Sequence, residues 1–414
     1  MMSEGEWPAA EDRTRSSGPL AGVRVLELGN FIAAPTAGRL LGDFGADVVK
    51  VERPGRGDEL RRWRLHAGET SLLFRTIGRN KRSVTVDLRT PEGREIALRL
   101  AGRSDVVLEN FRPGTLERWG IGPAALRAAN PDLVLVRVSG YGQSGPYRDR
   151  PGFGGVAEAV GGLRALTGYP GQPPTRAGVS LADSLAGLYA VVGALMGLLA
   201  RRRGGGGEVV DVALYEAVYS IMESLVPDHD AFGVERGPAG TGLPGVAPSN
   251  TYRCADGRYV VISGNGDAIF ARLMRAIGRA DLAADPGLAD NAGRVARVAE
   301  LDAAIGAWTG ARTQDECAAA LLGADVPHGP ILTAGEIVKD PHYQDRGMLE
   351  RHRVRIGPGD EREVTFPGVV PRLANRPGRT RRLGPELGAD TADVLAELGM
   401  DDTAQRELRA AGVI

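Results

Sequence analysis

Cysteine is nearly absent from this chain. Cys254 and Cys317 are the only two in 414 residues. They are too few for a disulfide framework and lack the paired spacing of a metal cluster, so the composition predicts a reducing, cytoplasmic setting. Histidine is almost as scarce: His66, His229, His328, His342 and His352 are scattered, and no His, Cys or Asp spacing predicts a metal site. Excess charge of either sign is missing too. At a net charge of −1, no global field recruits nucleic acid or an anionic membrane. Met1 to Ser17 is polar and has no apolar stretch, which predicts a disordered tail and not a signal peptide. Only one long apolar run is present, Leu181 to Ala200. Its glycines, Asp183 at one end and the lack of a second such run predict a buried core helix, not a membrane span.

What the chain does have is alternation. Val23 to Leu28 is a β-rich run, Thr36 to Phe44 has helical character, Gly45 stops it, and Val48 to Val51 is a second β-run. The pattern recurs with Ser83 to Leu88, a helix from Glu92 to Ala101, Val106 to Glu109, a helix at Pro123 to Ala129, and Leu133 to Val138. After the Asp183 helix, Val209 to Leu214 adds a strand and Tyr215 to Leu225 a further helix. This predicts an α/β fold: a large domain over 18–225 with a mostly parallel, Rossmann-like sheet and helices on both faces. Residues 226–330 read as a Gly/Pro-rich linker followed by a smaller α+β domain. It holds a hairpin from Asn250 to Ser263 and three helices, the last opened by a Thr313/Glu316 capping pair. Residues 331–414 form a return segment.

Two glycine patterns invite a dinucleotide-binding reading, and neither sustains it. The first β-α turn, Gly29 to Ala34, lacks the second and third glycines that let a backbone approach a pyrophosphate. Gly152 to Ala157 satisfies G-x-G-x-x-A but follows a Pro-rich loop instead of a strand end. Asp183 is more informative. It opens the apolar helix, which Arg201 to Arg203 and Gly204 close. With Ser180 it has the spacing of a capping pair, and the positive field of a helix N-terminus favours a negative charge there. Local sequence leaves two roles open for it, helix cap or carboxylate nucleophile.

The wider chain carries an ordered set of segments. It begins GPLAGVRVLEL (18–28), AAP (33–35) and LGDFGADVVKVERPGRGD (41–58). It continues NKRSVTVDL (80–88), VLENFRPG (107–114), GYGQSGPY (140–147), TRAGVSLADSLAGLY (175–189) and VVDVALYEA (209–217). In this order and spacing the chain resembles the class III coenzyme A transferases, the family of formyl-CoA transferase and the carnitine and bile-acid CoA transferases. The resemblance implies an enzyme that moves coenzyme A from a donor acyl-CoA, such as succinyl-CoA, to an acceptor carboxylic acid. CoA is substrate there, and no permanently bound cofactor is needed. It implies Asp183 as nucleophile, through aspartyl-anhydride and aspartyl-CoA intermediates. The family's CoA contacts map onto Ile32, Ala33, Arg53, Arg89, Asn110, Phe111, Arg112, Arg118, Phe153 and Gly154. It further implies that the C-terminal segment rejoins the large domain and that two chains interlock as a homodimer.

Two positions depart from the family. Ile32 stands where formyl-CoA transferases carry a glutamine, which argues against an oxalate- or formyl-type substrate. Gly154 stands where an acid or amide is frequent, which predicts a roomier pocket or one polarised by another group. Backbone N–H groups of Gly140 to Gly142, or of a lid at Gly237 to Gly245, are candidates for holding an oxyanion. Two rivals remain. A 2-methylacyl-CoA racemase needs an acid/base pair, yet Phe153 stands where the racemases have histidine. A non-catalytic CoA-binding protein would not need Asp183.

Overall fold

The computed structural model describes residues 18–414; the predicted tail, 1–17, lies outside them. Six strands form the main sheet: β1 (Arg24–Glu27), β2 (Asp47–Glu52), β3 (Lys81–Thr85), β4 (Val106–Glu109), β5 (Val134–Ser139) and β6 (Glu208–Ala213). Every neighbouring pair is parallel, in the order β3-β2-β1-β4-β5-β6. That is the doubly wound order of nucleotide-binding folds, with its topological switch between β1 and β4. The strands are near-continuous runs of Val and Leu because both sheet faces are covered. On one face Leu26, Val49, Val107 and Leu135 meet Ile96, Ala97 and Leu100 of the helix Pro91–Ala101, together with Val394, Leu395, Val413 and Ile414 near the C-terminus.

The other face is covered by α1 (Ala33–Asp43) and a longer helix that starts at Leu181. A short helix, α2 (Gly154–Val160), precedes the long one, α3 (Leu181–Arg202). α3 presents Ala182, Ala186, Gly187, Ala190, Ala194 and Gly197 inward. These small residues let its backbone lie close to the sheet: a β-carbon on Gly193 would stand 2.4 Å from Val210. The expected buried core helix is realised on this inner face only. Leu188, Val192, Leu195, Met196 and Leu199 are exposed along its outer face. By length and composition α3 would suffice to cross a membrane, but its inner face packs as the core helix of a globular domain does. The predicted continuous helix from Tyr215 to Leu225 is broken: one helix ends at Tyr219, a second starts at Leu225, and Glu223 between them is left-handed.

The chain divides into two compact units. One holds the residues through Leu163, Ala177–Ser224 and His342–Ile414, and so contains the sheet. The other holds Arg164–Arg176 and Leu225–Pro341. This second unit is built on a three-stranded antiparallel sheet, Ser249–Arg253, Tyr259–Ser263 and His328–Pro330. The Thr313/Glu316 capping box forms as the sequence predicts. Cys254 and Cys317, far apart in sequence, are buried in the same core, and burial pushes the Cys317 thiol up to about 12. Its Gly-rich stretch is held down locally, with Gly240 N–H donating to Gly168 O at 2.8 Å.

Candidate active site

In a parallel sheet all strands end on one edge, and that is where the predicted residues gather. Ile32 and Ala33 follow β1, Arg53 follows β2, Arg89 follows β3, and Asn110, Phe111 and Arg112 follow β4. The loops after β1 and β4 flank the switch point, where open α/β sheets bind ligands. They are tied together by Asn110. Its Oδ1 accepts from Asn30 N–H at 2.8 Å and its Nδ2 donates to Asn30 O at 2.7 Å.

The individual side chains divide into two groups. Arg53, Arg89, Arg112 and Arg118 are exposed. Arg89 is fastened to Asp87 through Nε and Nη2. The hydrogen bonds from Arg89, with the field of Arg53 added, hold the Asp87 carboxyl below its ordinary range; the sequence did not single out this carboxylate. Arg112 donates to Asp149 O at 2.9 Å, and Arg118 to Thr115 Oγ1 at 3.0 Å. Ile32 and Phe111, by contrast, point inward. Ile32 packs with Leu60, Phe74 and Ile77, and Phe111 crosses Trp119 edge-on at 5.0 Å.

Asp183 is half-buried in the first turn of α3. The predicted Ser180 cap does not form: Ser180 makes no side-chain capping bond, and its carbonyl accepts from the backbone and hydroxyl of Ser184. The Asp183 carboxylate lies instead against Gly154, where an added β-carbon would stand 2.1 Å from Oδ2. The room that the missing Gly154 side chain predicts is thus taken up by Asp183 itself. The segment before Gly154 is also close-packed, with a β-carbon on Gly152 falling 3.1 Å from the α-carbon of Gly140. The loop after β5 therefore abuts the start of α2, and its Gln143 N–H is held by Asp211 Oδ2 at 2.8 Å. Phe153, exposed, meets Phe31 edge-on at 6.0 Å, and Phe31 lies 5.4 Å from Trp63.

Beneath these loops sit buried charges that sequence reading missed. Glu109 ends β4. It accepts from Arg137 Nε at 2.7 Å and from Phe111 N–H at 2.8 Å, so it shapes the loop after β4; burial pushes its carboxyl up to about 7. Glu27 ends β1 and pairs with Lys50 and Lys81, all three fully buried. Burial opposes the charge on Lys50, but Asp58 and Glu27 hold it above its ordinary value; burial wins at Lys81, which falls to about 8. Among the described residues no group of three His, Cys, Asp or Glu side chains is placed to hold a metal ion.

Comparison with known proteins accords with this geometry. Residues 20–391 match the model of CoA-transferase family III. The chain is 47% identical to succinyl-CoA--D-citramalate CoA-transferase of Chloroflexus aurantiacus, over 96% of this chain and 98% of that one. It is 35% identical to succinyl-CoA:mesaconate CoA-transferase of Haloarcula hispanica, over 94% and 98%. Its fold superposes on the crystal structure of a CAIB/BAIF family protein from Brucella suis with a TM-score of 0.81 and 34% identity, covering 92% of this chain and all of that one. An α/β sheet in the 3-2-1-4-5-6 order, the loops at its carboxyl edge and a match across almost the whole chain lead to one conclusion: the chain belongs to CoA-transferase family III and is an enzyme that transfers coenzyme A between an acyl-CoA and a carboxylate.

Proposed function

We propose that this enzyme transfers CoA from succinyl-CoA to a four- or five-carbon dicarboxylic acid, with Asp183 as the covalent nucleophile. The observation that carries the reading is the Asp183 carboxylate in the first turn of α3, seated on the start of α2 at Gly154. The donor and the acceptor class follow from the relatives named for succinyl-CoA with D-citramalate or mesaconate.

In this reading an Asp183 oxygen attacks the thioester carbonyl, the C–S bond breaks, and CoA leaves as thiolate. A thiol of pKa ~8.5 is a competent leaving group near neutrality. The thiolate attacks the aspartyl carbonyl of the mixed anhydride, expels succinate and leaves an aspartyl-CoA thioester. The acceptor carboxylate then attacks that thioester, releasing thiolate and forming a second anhydride. Attack of the thiolate on the acceptor acyl carbon frees Asp183 and the new acyl-CoA. Charge balances at each step, so no external base is required. Arg53, Arg89, Arg112 and Arg118 supply cations for the phosphates of CoA, and backbone N–H groups of the Gly140–Gly142 loop, which packs against the segment before α2, serve as the oxyanion donors. The enzyme works in the cytoplasm as a homodimer, and the exposed apolar face of α3 supports the dimer, since patches of that kind mark interaction surfaces.

The test is mass spectrometry of the protein incubated with succinyl-CoA and trapped with hydroxylamine. A hydroxamate on the Asp183 peptide, absent from Asp183→Ala, is the expected result. Measurable CoA binding without any adduct would defeat the covalent route.

A further inference from the structure

The chain has three lysines, and two of them, Lys50 and Lys81, are buried in neighbouring strands of the main sheet. Burying an ammonium is costly, and a buried ion pair seldom stabilises more than an apolar pair of the same shape would. What the Lys50 charge does achieve is geometric. An ammonium has three donors, and Lys50 reaches Glu27 Oε1 at 3.0 Å, Asp58 Oδ2 at 2.8 Å and the carbonyl of Gly29 at 2.7 Å. The other Asp58 oxygen accepts from Phe31 N–H at 3.0 Å and from Leu60 N–H at 2.9 Å. One buried cation therefore fixes Gly29 directly and Phe31 through a single carboxylate, while Asn110 fixes Asn30 between them.

Three consecutive residues are pinned because the turn does not hold itself. Phe31 has φ of 63°, a left-handed conformation that a bulky side chain adopts only when its surroundings over-determine it. That conformation sets the path of the chain into Ile32 and Ala33 and aims the Phe31 ring at Trp63 and Phe153. A relaxed turn would shift all of them together.

We infer that Lys50 is a positioning residue for acyl-CoA binding, holding the Gly29–Phe31 turn through the Gly29 carbonyl and Asp58 in the shape the ligand meets. The inference rests on the CoA-binding role proposed above for this edge of the sheet. Lys50 touches no reacting atom, so its loss acts on ligand affinity and leaves the chemistry at Asp183 intact once acyl-CoA is bound. Arg79 provides the contrast. It is an equally buried cation paired with Asp43 at the far end of α1, Nη2 to Oδ2 at 2.7 Å, with no bond to the turn.

The test is calorimetric CoA binding by the full-length protein, with thermal unfolding and steady-state kinetics run beside it. Lys50→Met is expected to weaken CoA binding about ten- to a hundredfold, the scale at which small misplacements act, with kcat at saturating succinyl-CoA within about threefold of wild type. Arg79→Met is expected to melt earlier with CoA affinity unchanged. Asp58→Asn is the second variant. An amide there cannot face the Lys50 ammonium and the Phe31 N–H with oxygen at both, so it loosens the same turn without removing the lysine and is expected to weaken binding in the same sense. A folded Lys50→Met that binds CoA like wild type would overturn the inference. So would Arg79→Met weakening binding as much, or, where Lys50→Met does not fold, an Asp58→Asn protein of wild-type affinity. A wild-type protein that binds no CoA would remove the functional reading and this inference with it.

Discussion

The carboxylate of Asp183 rests on the α-carbon of Gly154, so closely that a β-carbon there would stand 2.1 Å from Oδ2. A clash of that size is relieved only by moving the carboxylate or the start of α2. Gly154→Ala is therefore predicted to displace the nucleophile and lower kcat by about a hundredfold, while the protein unfolds within a few degrees of wild type. Turnover with succinyl-CoA and a melting curve check this; an active Gly154→Ala would show that Asp183 does not react from this position.

Glu109 carries a pH signature. Burial raises its carboxyl to about 7 in the folded protein, against an ordinary 4.5. The folded state then holds a proton that the unfolded chain has released. The stability this contributes is complete below about pH 4.5 and is lost as the pH climbs through 7. Unfolding of wild type and Glu109→Gln between pH 5 and 8 is expected to show a downward slope in wild type that the glutamine variant lacks. Parallel curves would place the Glu109 pKa outside this window.

Leu188, Val192, Leu195, Met196 and Leu199 form an exposed apolar stripe on α3. If that stripe is covered by a second copy of the chain, Met196→Glu with Leu199→Glu buries two carboxylates against apolar partners and shifts the proposed dimer to monomer. Sedimentation velocity reads this directly. A double variant that sediments like wild type would move the interface elsewhere.

Arg294 is predicted to be the most sensitive polar position of the second unit. Fully buried, it donates to the carbonyls of Ala247, Leu288, Ala289 and Asn265 and pairs with Asp267 Oδ1 at 2.7 Å. Arg294→Met leaves those four carbonyls without their donor and is expected to cost about 3–5 kcal/mol, as removal of a buried charged partner does. Urea unfolding of the full chain measures it; a loss near the ~0.5 kcal/mol of a surface change would contradict the network.

The secondary structure was largely legible in sequence because it rests on local rules. Parallel strands covered on both faces read as runs of Val and Leu. Thr313 and Glu316 satisfy each other within one turn, so the spacing alone announced their capping box. Asp183 could be singled out because it interrupts an apolar run at its N-terminal end. The Ser180/Asp183 pairing had the same legible spacing and failed: Ser180, at φ −79° and ψ 73°, lacks the extended conformation in which Thr313 caps its helix, and its side chain makes no capping bond. The arginines past the strand ends fall where sheet topology puts them, on one edge.

What the tertiary structure alone decided are the partnerships across tens of residues. Glu27 faces Lys50 because β1 and β2 pair in that register, and it meets Lys81 because β3 comes next in the sheet. Asn110 serves the Asn30 backbone because β4 lies beside β1. Gly154 receives Asp183 because α2 and α3 pack together. Residue types and spacing determined which elements form and which groups have chemistry to offer. Which charge is buried, which side chain is spent on holding a loop, and which stands at the site depended on strand order and close approach, and no local pattern records either.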